Sequence, residues 1–480
     1  MGLRPVSLAD ALDLAGWGPR DLVAAINDRL ADPARRLDPT AAYSWVRRGY
    51  VPYEPVPSVA ASVLSQRLGY PIGVDQLWPA RARRNPKQID AVAALDHIST
   101  VDGFVEAIDE LTALGIAGKH RVVGARGADL LAMVEGLRCQ IQGKRRRVAA
   151  PEVVLPPQVD LIAAHVAGLR RLDDRHGGGA LSLRYVTNEL RSVLDLAKIA
   201  DYKKHLGRRL LTIAADLAQL VGWLHFDASS YGPAERYLLL SIGVSRALGD
   251  AGRATNALGM LAYVSAFAGH GTVASQIAAA GVRMCPDDPV LRARIIGRVA
   301  TAAASSGDLA EFRRASNEAT ELLADGCGEV PEYLYYLEPE QLSAEAGQGL
   351  VVLAQRISPY RKNLLDESVE LLEPVSQVGA RPLYPRSALL HGTFLARAYL
   401  LLGEHALAVS AAQAAMSRLE EVQSLRGIDC LRKLRGSFSR HRSRVVTEFL
   451  PHLDEALSRC EQPTRASAGG GNRVDRPPDH

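Results

Sequence analysis

Thr40, Ser44 and Arg47 stand at i, i+4 and i+7, with Ala41 and Arg48 alongside, so one helix through them would carry hydroxyls, a methyl group and guanidinium groups on a single stripe. Arg35 and Arg36 come just before it. The chemistry this suggests is recognition, not bond making. Thr40, Ala41 and Ser44 suit base edges in a groove of double-stranded DNA, while Arg35, Arg36, Arg47 and Arg48 suit phosphates, with Arg47 long enough to reach a guanine edge. The opposite stripe, Ala42, Trp45, Val46 and Gly49, is apolar and predicts a core face with Trp45 inside.

The neighbouring sequence supplies elements that can position this stripe. Asp38 is placed to cap the helix, Pro39 to occupy its first position and Gly49 to end it. Upstream, residues 8–15 read as a first helix and 18–30 as a second, with Leu22, Ile26 and Leu30 at i+4 steps. Downstream, residues 56–68 repeat apolar positions at Val59, Val63 and Leu64, and residues 74–78 close the unit. Four or five short helices within about 75 residues can share one core, so residues 1–80 are expected to form a domain.

Several of these pieces together carry a resemblance: Trp45-Val46-Arg47-Arg48-Gly49, the proline-rich turn through Pro52 and Pro55, the helix ending Leu68-Gly69, and Asp75-Gln76-Leu77-Trp78. They resemble the helix-turn-helix of phage-repressor-like (XRE-type) bacterial regulators, above all an actinobacterial group in which such a domain precedes tetratricopeptide-like helical repeats. The resemblance spans both parts of the chain, with its sharp residues at positions 8–78. It implies a DNA-binding transcriptional regulator, often a repressor of differentiation and of antibiotic production. Pro19 or Arg20 stands where the ordinary repressor has a Gln, and residues 31–36 lengthen the connection between second and third helices. A module altered in this way also fits a tetratricopeptide-type adaptor that binds protein and not DNA.

At 480 residues the chain is too long for one core. Its net charge of +4 decides nothing, but positive charge gathers at 81–87, 144–147 and 426–444. The first of these could extend a phosphate-binding surface, and all three also read as solvated helix ends. From residue 88 onward Ala, Leu, Arg and Glu recur at helical spacing, so the fold class expected is all-α. Residues 81–155 read as a helical linker region with helices over 101–114 and 128–142, closed by Pro151, Pro156 and Pro157.

Residues 156–460 read as a tetratricopeptide-like α-solenoid. Ala396, Tyr399, Gly403, Ala408, Ala412 and Ala415 stand at the offsets of one repeat, with a similar unit at Gly222, Ala234 and Leu238 and fainter ones at Ala262, Ala274 and Ala278 and at Ala302 and Ala315. Small residues let paired helices approach closely. Prolines between 331 and 387 predict an irregular or interrupted stretch, and residues 461–480 lack the apolar residues needed to fold. Such a stack offers a concave face to a peptide, protein or small-molecule effector, or serves to form a homodimer.

Catalysis finds no support in the motifs. His176-Gly177-Gly178-Gly179 resembles an oxyanion-hole loop but lacks a G-x-S-x-G partner and reads as a helix-breaking turn. No Walker loop, H-E-x-x-H or G-x-G-x-x-G occurs, and the five cysteines are scattered without zinc-ligand spacing. No enzyme activity, cofactor or metal is expected. With no secretory signal, membrane-length apolar run or myristoylation motif in the sequence, the expectation is a cytoplasmic, nucleoid-associated protein that does not enter the membrane.

Overall fold

The computed structural model describes residues 7–30, 36–52, 55–68, 72–78, 128–137, 153–199, 202–325, 329–376 and 384–461. Arg35, the side chain of Arg48, the basic stretches 81–87 and 144–147, the helix expected over 101–114 and the tail 462–480 lie outside the described residues. The described chain is all-helical, without strands.

The first unit holds α1 (Leu8–Ala15), α2 (Pro19–Arg29), α3 (Ala41–Arg48), α4 (Val56–Leu68) and α5 (Val74–Leu77). Local chemistry sets the ends of the first two. Ser7 Oγ accepts from the Asp10 amide at 3.2 Å, Gly16 stops α1 at φ +66°, and Asp21 accepts from the Gly18 amide at 2.8 Å just before Pro19. Leu12, Leu22, Ile26, Ala42, Trp45, Ala60, Leu64, Leu77 and Trp78 are buried in one cluster that these helices and their flanking residues form.

The third helix starts later than its sequence predicts. Asp38 accepts from the Thr40 amide at 2.8 Å and from the Thr40 hydroxyl at 2.5 Å, closing a local turn through Pro39, and α3 begins only at Ala41. Asp38 thus organises the approach without capping the helix, because its short side chain is satisfied two residues on. Gly49 ends α3 at φ +63°, as expected.

After α6 (Ala128–Gly136) the repeat array runs through α7 (Pro156–His176), α8 (Ala180–Ile199), α9 (Lys204–Asp227), α10 (Tyr231–Leu248), α11 (Ala251–Phe267), α12 (Gly271–Met284), α13 (Pro289–Ser306) and α14 (Leu309–Asp325). It continues through α15 (Pro339–Ala354), α16 (Arg361–Ser376), α17 (Pro385–Leu402), α18 (His405–Ser417), α19 (Leu425–Phe438) and α20 (Arg444–Glu461). Consecutive helices pack in pairs. The expected small residues sit at their contacts: Ala234, Ala262, Ala274, Ala278, Ala302, Ala315, Ala396, Ala408, Ala412 and Ala415 are all fully buried. At Gly222 the approach is closest, since a Cβ there would lie 2.9 Å from Leu238 Cγ and 3.1 Å from the Ala234 carbonyl.

The stretch between 331 and 387 is irregular without breaking the stack. Pro339 and Pro385 open helices, where a missing amide costs nothing, and Pro331 leads into a 3-10 turn over Glu332–Leu334. Helix α6 falls in the segment read as linker, yet its Leu130 and Val134 join the core of the first repeats and Arg246 donates to the Val134 carbonyl at 2.6 Å.

The array also curls until its beginning meets its end. Helix α7 packs on α17, α9 packs on α19, and the Gln423 amide donates to the His176 carbonyl at 2.7 Å. Gly177, Gly178 and Gly179 permit this: a Cβ on Gly177 would fall 2.9 Å from the Gln423 carbonyl oxygen, and one on Gly178 would overlap Leu224. The glycine run is therefore a helix-breaking turn, as expected, and a docking point as well.

Candidate nucleic-acid interface and repeat-array cavity

Helix α3 is anchored by one face and open on the other. Ala42 and Trp45 are buried, whereas Thr40, Ser44 and Arg47 are exposed and Ala41 is partly so. Asn27 on α2 fixes the entry to this helix, its amide nitrogen donating to the Leu37 carbonyl at 3.0 Å and its oxygen accepting from the Leu37 amide at 2.8 Å. Arg36 lies exposed immediately before this clamp. The Arg47 guanidinium sits 5.7 Å from the Tyr43 ring centroid, which steadies a long side chain at the helix end.

The hydroxyls at this surface are partly engaged. Ser44 Oγ donates to the Ala41 carbonyl at 2.9 Å, leaving its lone pairs outward, while the Thr40 hydroxyl donates to Asp38. That hydrogen bond holds the Asp38 carboxyl below its usual range. Two further arginines of the unit are engaged within it: Arg67 donates to the Ala15 carbonyl at 3.2 Å, and Arg29 to Ser62 Oγ at 3.0 Å.

A second candidate site, one that motif reading does not find, lies where the array curls on itself. A cavity of about 90 Å³ is bounded by α7, α9, α11, α13, α15, α17 and α19, and its walls include Asp173, Trp223, Tyr263, Arg298, Glu345, Arg386 and Arg426. Its charges are buried in pairs and triads. Arg294 and Arg298 contact Glu345 at 2.5 and 3.2 Å, and Arg386 donates to Asp173 and to Asp174, both at 2.7 Å. Arg426 approaches Asp227 at 3.3 Å and lies 5.1 Å from the Trp223 ring and 4.6 Å from that of Phe226.

Burial and charge act against each other here. Burial pushes the Glu345 carboxyl up, but Arg294 and Arg298 pull harder and hold it at about 2. For Asp173 burial wins over Arg386, with Asp174 and Asp227 adding repulsion, and its carboxyl rises to about 7. Burial lowers His391 to about 4, and its Nδ1 lies 2.7 Å from Gln348 Nε2.

The signal in the sequence was a set of arginines and acids recurring inside Ala- and Leu-rich helices, such as Arg294 and Arg298 at i, i+4. Periodicity alone places such residues on solvated faces. Arg426, read with the basic stretch 426–444, is instead buried, while exposed Arg432, half-buried Arg435 and exposed Arg444 in the same stretch pair with Asp429, Asp454 and Glu448.

Among the described residues no three potential metal ligands cluster, and no helix is long and apolar enough to cross a membrane. In comparisons with known proteins, no family model and no curated protein matches this chain.

Proposed function

We propose that this chain is a sequence-specific DNA-binding transcriptional regulator, a repressor of development or secondary metabolism. Residues 1–80 act as a helix-turn-helix domain, and the repeat array senses an effector or forms a homodimer. The observation that carries the reading is α3 itself. Its Ala42 and Trp45 are locked into a small core while Ser44 and Arg47 project from the opposite face, beside Arg36. A rigid helix with hydroxyl and guanidinium groups on its free side suits a major groove, where Ser44 and Ala41 can meet base edges and Arg36, Arg47 and Arg48 can meet phosphates. Two such helices related by a two-fold axis would read half-sites about one helical turn apart.

The test is fluorescence anisotropy with fragments of the source genome, comparing the wild type with an Arg47→Ala/Arg48→Ala double variant over a salt series. Salt-sensitive binding to a restricted set of fragments, weakened in the double variant, is the expected result. Equal binding by both proteins, or no fragment bound by either, would remove this reading in favour of a protein-binding adaptor.

A further inference from the structure

The walls of the repeat-array cavity pair their charges unevenly. On one side Arg298, together with Arg294, which does not itself line the cavity, shares the single carboxylate of Glu345, so positive charge is in excess. On the other side two carboxylates, Asp173 and Asp174, share the single guanidinium of Arg386. Trp223 and Tyr263 stand between these poles with ring centroids 5.9 Å apart; Arg386 lies 5.8 Å from the indole and Arg298 lies 4.3 Å from the phenol ring. Charged groups of both signs, Arg170 and Arg426 among them, thus surround an aromatic floor.

Two polar atoms on residues that line the cavity point to what would fit. Arg426 Nη1 and Asp173 Oδ1 are buried and have no hydrogen-bond partner among the described residues, and the two residues are only 3% and 5% exposed. One is a cationic donor and the other a carboxylate oxygen, and both flank Trp223, Arg426 directly and Asp173 through Arg386. A buried polar atom left without a hydrogen-bond partner carries a desolvation cost, which a complementary ligand relieves. A bare anion would meet Arg426 but leave Asp173 Oδ1 unsatisfied and add net charge among buried groups; a bare cation would fail at Arg426. A molecule carrying both charges satisfies both atoms and adds none.

We propose that the cavity binds a small zwitterion of free amino-acid size, with its carboxylate on Arg426 Nη1, its ammonium on Asp173 Oδ1 and its carbon skeleton against Trp223. The volume of about 90 Å³ suits a molecule of this size and not an extended peptide. An ammonium on Oδ1 also replaces the proton that burial otherwise draws to the Asp173 carboxyl. The proposal goes beyond the DNA-binding reading and does not depend on it.

Isothermal titration of the full chain, without DNA, against the twenty free L-amino acids tests it, each binder being repeated as its des-amino and its decarboxylated analogue. Saturable binding of at least one amino acid is expected, with either analogue weaker by about 10- to 100-fold. Asp173→Asn, isosteric and still able to accept from Arg386, should weaken the parent amino acid by a similar factor while leaving the des-amino analogue unchanged. The analogue series on the wild type keeps the test decisive should that variant fold poorly. Absence of binding by every amino acid up to about 10 mM, equal affinity of parent and des-amino analogue, or binding of longer peptides alone would each overturn it.

Discussion

Asn27 holds Leu37 by both of its backbone groups, at 3.0 and 2.8 Å, ten residues along the chain and across the connection that leads into α3. The side-chain amide copies a strand partner, accepting from the Leu37 amide and donating to its carbonyl. It therefore fixes the approach to the exposed helix. Asn27→Ala is expected to destabilise the first unit by about 1–3 kcal/mol, since two partly buried polar groups lose their partners. Asn27→Asp, which keeps only the acceptor, should fall between. Chemical denaturation followed by Trp fluorescence checks both, because Trp45 and Trp78 lie in that core.

The close contact at Gly222 makes a second expectation. Gly222→Ala places a methyl carbon 2.9 Å from Leu238 Cγ and 3.1 Å from the Ala234 carbonyl, so α9 and α10 must separate, at a cost of about 1–3 kcal/mol. Gly168→Ala in α7 meets nothing within 4 Å and should be neutral or stabilising by up to about 1 kcal/mol. Thermal melts of the two variants should shift in opposite directions or, at the least, differ clearly.

Stability should depend on pH through two buried groups of opposite sign. The folded state holds His391 at about 4, well below its ordinary 6.5, so it binds that proton less readily than the unfolded chain. The associated stability is complete above 6.5 and is lost as pH falls toward 4. His391→Gln should therefore lose less stability than the wild type over that interval, by an amount on the order of 2 kcal/mol.

Asp173 works the other way. Its folded carboxyl lies at about 7 against 3.8 in the unfolded chain, so the contribution is present below 3.8 and declines as pH rises through 7. The groups facing it are Arg386 on α17, Asp174 on α7 and Asp227 on α9. Relative to the wild type, Asp173→Asn should gain stability as pH climbs from 4 to 7. A constant difference between the two denaturation curves would show that the carboxyl ionises normally.

At the proposed DNA surface, single changes should separate by role. Arg47→Ala should weaken binding to all fragments alike and reduce the salt slope by about 1, whereas Ser44→Ala should alter which fragments are preferred. Competition binding at two salt concentrations distinguishes these outcomes.

Much of the helical framework is legible from local pattern. Leu22 and Ile26, Ala42 and Trp45, and Ala396 with Ala408 and Ala412 declare buried faces by spacing alone, because a helix returns side chains to one side every three or four residues. Pro19, Gly16, Gly49 and Gly403 mark ends through backbone constraints that need no distant partner. Asp38 shows the limit of that logic: the same carboxylate can cap a helix or close a turn, and only the competition for Thr40 decided which.

What the tertiary structure alone decided is the cavity. Asp173, Trp223, Glu345, Arg386 and Arg426 are scattered over more than 250 positions of sequence, and each looks by itself like part of an ordinary helix face. They converge because slight rotations between successive helix pairs accumulate until α7 meets α17 and Gln423 seats on Gly177. Periodicity records which side of a helix turns inward, but the curvature of the stack is a sum over many packing contacts, and no single stretch of residues encodes it.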